Sequence, residues 1–443
     1  MSPEIISLIG ILVGLVFFMV FAVYGWNIII LGIGASVIAA IFGGMNVIDA
    51  LTVQYSAGFV GFWQKYMLLF LGGALFARLM TDSGAAFRIA GALSGVCRKA
   101  KSSRMQKVLA VMTLPIINGV LTYGGITSFL VVFLMVAIAR QLFEELDIPW
   151  KMYGCACLGS ATFTAGMLPG SPSTTNLIPM SYLGTTPTAG ATLGILASLL
   201  CVTLGTLFII WEVTKAEKKG EGFMPTGQNI VKEILPMPEI PNFNLLRCLA
   251  PCIILLASLN LMKWSTTTSL FLGCMSCIIL FFNELKPKIK GSVSAGLGSG
   301  IMTLALVCAA NGFGAVVSAV PGYAFVLGGL KSIPGPAALQ VFVSVNIAAG
   351  ITGSAQGGLA VCLSNLGEHF LSLGIPAGAL HRLCSCASIG LDTLPHSVGV
   401  INAAGAAKLT HKEIYYYFFV ITVVITMICA LFVCLLITLG IGV

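Results

Sequence analysis

Asp392 and His396 flank Pro395 in GLDTLPHSVGVIN, residues 390 to 402, a stretch otherwise apolar enough to lie in a membrane. An ionisable side chain in hydrocarbon is costly and marks a functional site by default. Histidine titrates near neutral pH, so the pair could take up and release a proton as a coupling site. Two other readings use the same residues. Asp392 could cap a helix broken at Pro395, with His396 paired to it, or it could hold a sodium ion together with backbone carbonyls. The first half of the chain has a related stretch, LPGSPSTTN (168 to 176), so both halves carry LPxSxxxxN. There Gly166 (or Ala165) and Gly170 stand in place of Asp392 and His396, which makes any ion coupling a property of the second half alone.

Two more polar interruptions complete the set, TYGGITS (122 to 128) and TGSAQGG (352 to 358). A helix broken in hydrocarbon leaves free amides and carbonyls that cost several kcal/mol each, so breaks persist only inside protein or beside a wet cavity. If the four breaks converge, their glycines let backbone approach a ligand and their hydroxyls and amides can bind it. The candidate substrate-binding residues are Gly124, Thr127 and Ser128; Ser171, Ser173, Thr174 and Asn176; Gly353, Ser354 and Gln356; and Ser397 and Asn402. Half-helix N-termini at such breaks favour an anion, so the expected cargo is a small carboxylate. No cofactor is called for; the coupling ion is a proton, with sodium as the alternative.

The elements that must position these residues follow from composition. Of 443 residues, 58% are hydrophobic and 9% charged, against about 25% charged in a soluble domain. Apolar runs long enough to cross about 30 Å of hydrocarbon recur along the chain. The reading is an all-α polytopic membrane protein with the lipid bilayer as its environment. A net charge of +8 is no nucleic-acid footprint, because it follows from topology. The 14 cysteines are scattered through apolar runs and read as small hydrophobes, and the CxC pairs Cys155/Cys157 and Cys384/Cys386 read as packing rather than metal ligands.

Spans are expected near 5 to 23, 26 to 43, 66 to 81 and 188 to 211, and again near 245 to 262, 266 to 283, 297 to 320 and 414 to 440. The pattern defines a first repeat (1–211) with a hairpin at 105–143 and a broken helix at 150–183. A charged linker (212–244) leads to a second repeat (245–443) with a hairpin at 336–373 and a broken helix at 377–405. SGAAF at 83 answers PGYAF at 321, and LDIP at 146 answers LGIP at 373. An odd number of crossings per half inverts the second repeat. With both termini outside, segments 78–107, 140–151, 212–247, 284–290 and 408–413 hold 19 of the 23 Lys and Arg, as the positive-inside rule asks. The paired arms are short with uncharged tips and are read as re-entrant. Arg382 is expected near the outer surface, snorkelling or at a gate, and the charges at Glu144, Glu145, Asp147 and in the linker as solvated. Matched interruptions in inverted repeats point to a secondary transporter with a midplane site.

GSAQGGL followed by LGIPAGALHRLCSCASIGLDTLPHSVGVINAAGAAKLTHKE resembles the second-half signature of the gluconate permease family, and DSGAAFRIAGAL in the first half is similar to it too. The resemblance implies a bacterial inner-membrane symporter, usually proton-driven, for gluconate, related sugar acids or short hydroxy acids. It also implies kinship with the ion-transporter superfamily and an elevator-type homodimer in which a transport domain slides past a scaffold. Ser354, Gln356, Asp392, His396 and Asn402 carry over as site residues. GSPSTTNLIP is similar to the hydroxybutyrate-like branch, which implies a shorter monocarboxylate or hydroxycarboxylate. The competing class is an intramembrane hydrolase pairing Ser354 with His396. Because the polar tips occur in both halves, binding explains the pattern better than one-sided catalysis, and the chain is expected not to be an enzyme.

Overall fold

A computed structural model describes the chain except for Met1, Gly25, residues 95–101, Thr127, residues 233–242, Ser332 and His396; a few further side chains, Ser128 among them, are also left out. The described residues are helical, joined by short turns and breaks.

Helices α1 (Pro3–Val23), α2 (Ile28–Phe42) and α3 (Val47–Asp82) open the first half. The span expected at 66 to 81 is therefore only the end of a 36-residue helix, about 54 Å long at about 1.5 Å per residue. Gln64 and Lys65 interrupt the apolar run without interrupting the backbone hydrogen bonds, which is why hydropathy underestimates α3. Next come α4 (Ala85–Ser94), the hairpin α5 (Ser103–Tyr123) and α6 (Ser128–Glu145), a 3-10 segment Trp150–Ala156, a wide π-type helix α7 (Gly159–Met167), α8 (Thr174–Leu183) and α9 (Ala191–Lys219). The second half gives α10 (Leu245–Asn260), α11 (Thr266–Leu280), α12 (Ile289–Ala319), α13 (Pro321–Lys331), the hairpin α14 (Ala337–Thr352) and α15 (Ala355–Ser372), then α16 (Ala377–Ser388), α17 (Val398–Ala407) and α18 (His411–Thr438). The longer helices follow one another in a similar order in the two halves. Six of these helices are long and apolar enough to cross a membrane, as expected of a multi-pass membrane protein.

The long helices α3 and α12 pack along each other, with α1, α2 and α11 beside them. Small residues allow the close approach. A methyl group at Gly300 would stand 3.1 Å from the Phe70 carbonyl, and one at Gly58 would stand 2.7 Å from that of Asn311. The hairpin α14/α15, the broken helices α7/α8 and α16/α17, and α5, α9 and α18 pack together on the other side.

The linker differs from its expected form. The α9 helix continues through 212 and ends at Gly220 in a left-handed C-cap, so the boundary at 212 falls inside a helix. Beyond it the chain folds back. Lys151 Nζ pairs with Glu221 at 2.6 Å, and Phe223 N–H donates to Asp147 Oδ1 at 2.8 Å, so these charges are engaged rather than merely solvated.

The five basic segments meet. Arg104 pairs with Glu217 at 2.6 Å, Lys151 with Glu221, and Arg247 with Glu284 at 3.0 Å. Lys412 and Glu413 line a common cavity with Glu212 and Lys215. Segments grouped by charge alone thus lie together at one end of the helices.

Candidate functional site

Why the chain breaks where it does is visible in the first break. Helix α7 ends at Met167, and the carbonyls of Thr164, Ala165 and Gly166 in its last turn each find a side-chain donor. Ser171 Oγ donates to Thr164 O at 2.7 Å, Ser173 Oγ and Thr175 Oγ1 both donate to Ala165 O, and Arg382 Nη1 donates to Gly166 O at 3.3 Å. Gly170 adopts φ +77°, and a methyl group there would collide with Asn260 Oδ1 at 2.9 Å. Asn260 Nδ2 donates to the Gly170 carbonyl at 3.0 Å, and Tyr123 Oη donates to that of Pro169 at 3.0 Å. The polar groups freed by the break are satisfied by protein, as hydrocarbon requires.

The N-terminal end of α8 is treated differently. Its N-cap, Ser173, does not cap it, because the hydroxyl is used on Ala165 O. Ser397 likewise precedes α17 without capping it. Both helices therefore leave first-turn N–H groups uncapped by these serines, with the partial positive charge of a helix N-terminus. Ser354, by contrast, accepts the Gly357 N–H at 3.2 Å and donates to Gln356 Oε1 at 3.0 Å, closing the start of α15. Its hydroxyl is already committed, and His369 and His381 bond Gln340 and Asn176 instead.

All four interruptions meet at one cavity of about 510 Å³. The hairpin tip of α5/α6 contributes Asn118, Thr122 and Gly125; the first break contributes Ser173, Thr174 and Thr175; the second hairpin contributes Gly353, Ser354 and Gln356; and the second break contributes Asp392, Ser397 and Asn402. The facing wall, from α1, α3, α11 and α12, is mostly apolar: Leu69, Phe70, Leu270, Met302 and Leu306, with Ser299 and Thr303 its polar exceptions. Polar groups are concentrated on one side of the cavity.

Of the sequence candidates, Ser173, Thr174, Gly353, Ser354, Gln356, Asp392, Ser397 and Asn402 line the cavity. Six do not. Gly124 is replaced by its neighbour Gly125. Thr127 and His396 lie outside the described residues, as does the side chain of Ser128. Ser171 and Asn176 correct the expectation, since both are fully buried behind the break. Asn176 Nδ2 donates to Ser171 O at 2.8 Å and Pro187 O at 2.9 Å, while its Oδ1 accepts from His381 Nε2 at 3.2 Å. The reason is register: α8 starts five residues after its LP proline and α17 three, so matching letters occupy different places.

Arg382 corrects a second expectation. It does not snorkel: it is fully buried, because the turn between α8 and α9 covers α16. Its Nε and Nη2 donate to Ala189 O at 3.2 and 2.8 Å, beside the bond to Gly166. No carboxylate pairs with it among the described residues.

Sequence reading missed Asn118 and Thr122, one helical turn apart on α5. Thr122 Oγ1 lies 2.9 Å from Thr164 Oγ1, joining hairpin to break. Asn118 Nδ2 donates to Ala156 O at 2.8 Å, and its Oδ1 is buried with no hydrogen-bond partner among the described residues. Asp392 Oδ1 is in the same condition. The Asp392 carboxylate sits in the turn Leu391–Thr393, close to the backbone N–H of Ala355 at the start of α15.

No family model matches the chain. It is 28% identical over 410 residues to the uncharacterized transporter YxjC of Bacillus subtilis (strain 168), a match spanning 83% of this chain and 85% of that protein. Among solved structures it is similar to the YdaH transporter of Alcanivorax borkumensis, with a TM-score of 0.54 and 14% identity over 96% of this chain and 99% of that one. The chain has a transporter's fold. That likeness concerns fold alone, and neither relative's name specifies a substrate or a coupling ion.

Proposed function

We propose that the chain is a secondary active transporter carrying a small organic anion, a short carboxylate, hydroxycarboxylate or sugar acid, in symport with protons. The observation that carries this reading is the convergence of four chain breaks on one cavity with a polar and an apolar wall. Its volume of about 510 Å³ falls within the usual range of about 300 to 1,000 Å³ for small-molecule sites. The starts of α8 and α17 offer N–H groups for a carboxylate. Asn118 Oδ1 and Asp392 Oδ1 are acceptors in want of a donor, which suits the hydroxyl of a hydroxy acid. The names of the similar proteins agree with a transport role.

In this reading Asp392, with His396, is the coupling site, since its buried Oδ1 accepts no hydrogen bond among the described residues. The same unpaired oxygen would suit a sodium ion, the alternative coupling. The concentration of polar groups on one wall suits an elevator, in which α7/α8, α14/α15 and α16/α17 carry the substrate past an apolar scaffold built on α3 and α12. Inverted repeats, membership of the gluconate permease family, a homodimer and a bacterial inner-membrane location with both termini outside belong to the same proposal.

A thermal-unfolding screen of purified protein against gluconate, lactate, hydroxybutyrate and butyrate tests the substrate class. Hydroxy acids should stabilise the protein more than butyrate does. Indifference to every carboxylate would remove the anion reading.

A further inference from the structure

A second cavity, of about 390 Å³, lies away from the transport site, where the 150 turn, the end of α9, the chain after it and the start of α18 meet. Four lysines line it, Lys151, Lys215, Lys219 and Lys412, against three carboxylates, Glu212, Glu221 and Glu413. Each carboxylate is already occupied. Glu212 is buried and accepts from Lys215 Nζ at 2.9 Å and from the Tyr416 and Tyr417 hydroxyls at 3.1 and 3.4 Å. Glu221 is held by Lys151 at 2.6 Å, and Glu413 closes a capping box with Thr410. Lys412 is exposed and has no ion pair among the described residues, and Lys219 reaches Glu221 only at 3.9 Å. The lining is thus one positive charge in excess, with two lysines open.

Two helix stripes lead away from these lysines. On α9, Lys215 is preceded at helical spacing by Trp211 and Leu207, which are 54% and 57% exposed. On α18, Lys412 is followed by Tyr416 and Phe419, which are 40% and 41% exposed. Lys215 Nζ joins the stripes, 4.5 Å from the Trp211 ring and 5.5 Å from that of Tyr416. Basic groups, then amphipathic aromatics, then exposed apolar side chains is the order met on passing from the membrane surface into hydrocarbon. We propose that this cavity binds the phosphodiester headgroup of one anionic phospholipid, with its acyl chains along the exposed stripes of α9 and α18. One phosphodiester charge matches the excess, and the apolar stripes favour a lipid over free phosphate. The site is independent of what the chain transports.

The test uses the full-length protein in nanodiscs of phosphatidylcholine with or without phosphatidylglycerol, reading the amount of phosphatidylglycerol retained after extraction by native mass spectrometry, with inorganic phosphate in detergent as a separate arm. Wild type should retain phosphatidylglycerol over phosphatidylcholine. Lys412→Gln should lower that affinity about fivefold, the loss expected for one basic residue at an anionic surface, and Lys219→Gln should act similarly. Lys412→Arg should keep it. Equal retention of both lipids, or undiminished retention in Lys412→Gln and Lys219→Gln, overturns the site. Binding of inorganic phosphate with the same lysine dependence overturns the lipid assignment.

Discussion

Asn118 and Asp392 line the central cavity, and the Oδ1 of each is buried without a donor among the described residues. A buried acceptor left unpaired costs about 1 to 3 kcal/mol, so a substrate that supplies a donor recovers it. Asn118→Leu should therefore weaken a hydroxy acid about tenfold and leave butyrate nearly unchanged, since a tenfold change corresponds to about 1.4 kcal/mol; the ratio of the two affinities is the measurement. Asp392→Asn should abolish uphill accumulation but keep substrate exchange, and a variant that still accumulates normally would reduce Asp392 to a structural group. Most residues in the interruptions were legible because a polar cluster inside an apolar run is too costly in hydrocarbon to persist unless protein or a wet cavity satisfies it. Asn118 was not, because a single polar residue on an otherwise ordinary helix reads as packing, and Thr122, the first residue of TYGGITS, was passed over for that stretch's later residues. Ser171 and Asn176 were misplaced because sequence symmetry aligned letters across breaks of unequal length.

Among elements, the first break depends on the second half of the chain. Arg382 on α16 reaches the Gly166 and Ala189 carbonyls, so Arg382→Ala leaves the Ala189 carbonyl without its side-chain donor and the Gly166 carbonyl with only the weak Cys386 thiol. The expected loss is about 1 to 3 kcal/mol for each such carbonyl, seen as lower folded yield and earlier thermal unfolding in detergent; Arg382→Lys should recover part of it. Sequence read this arginine as snorkelling or at a gate by counting residues along one helix, and the covering turn at 184–190 comes from the other half. At the folded linker, the Lys151 ammonium holds the Glu221 carboxyl below the usual carboxylate range. Its stabilisation is present above the unfolded value of about 4.3 and fades as pH falls through the lowered folded value. Wild type and Lys151→Gln should differ in unfolding temperature at neutral pH and converge in acid.

Across the whole molecule, hydropathy and charge made the helical class and the grouping of basic segments legible, whereas the length of α3 and the packing of α3 on α12 depend on contacts that hydropathy does not register. The elevator proposal makes a mechanical prediction where the walls touch. Tyr66 on α3 lies 3.3 Å from the Ser181 hydroxyl on α8, and Lys65 Nζ lies 3.7 Å from the Tyr182 ring. If α8 moves past α3, Tyr66→Cys and Ser181→Cys joined by a short bifunctional thiol reagent should stop transport and spare substrate binding; full transport after crosslinking would contradict the sliding motion. The central claim is tested most directly by uptake into proteoliposomes under an imposed pH gradient, acid outside, without sodium. The account predicts accumulation of a small hydroxycarboxylate above its external concentration, lost when the gradient is collapsed and absent with Asp392→Asn. Uptake that ignores the pH gradient and requires sodium, or no uptake of any carboxylate, would contradict it.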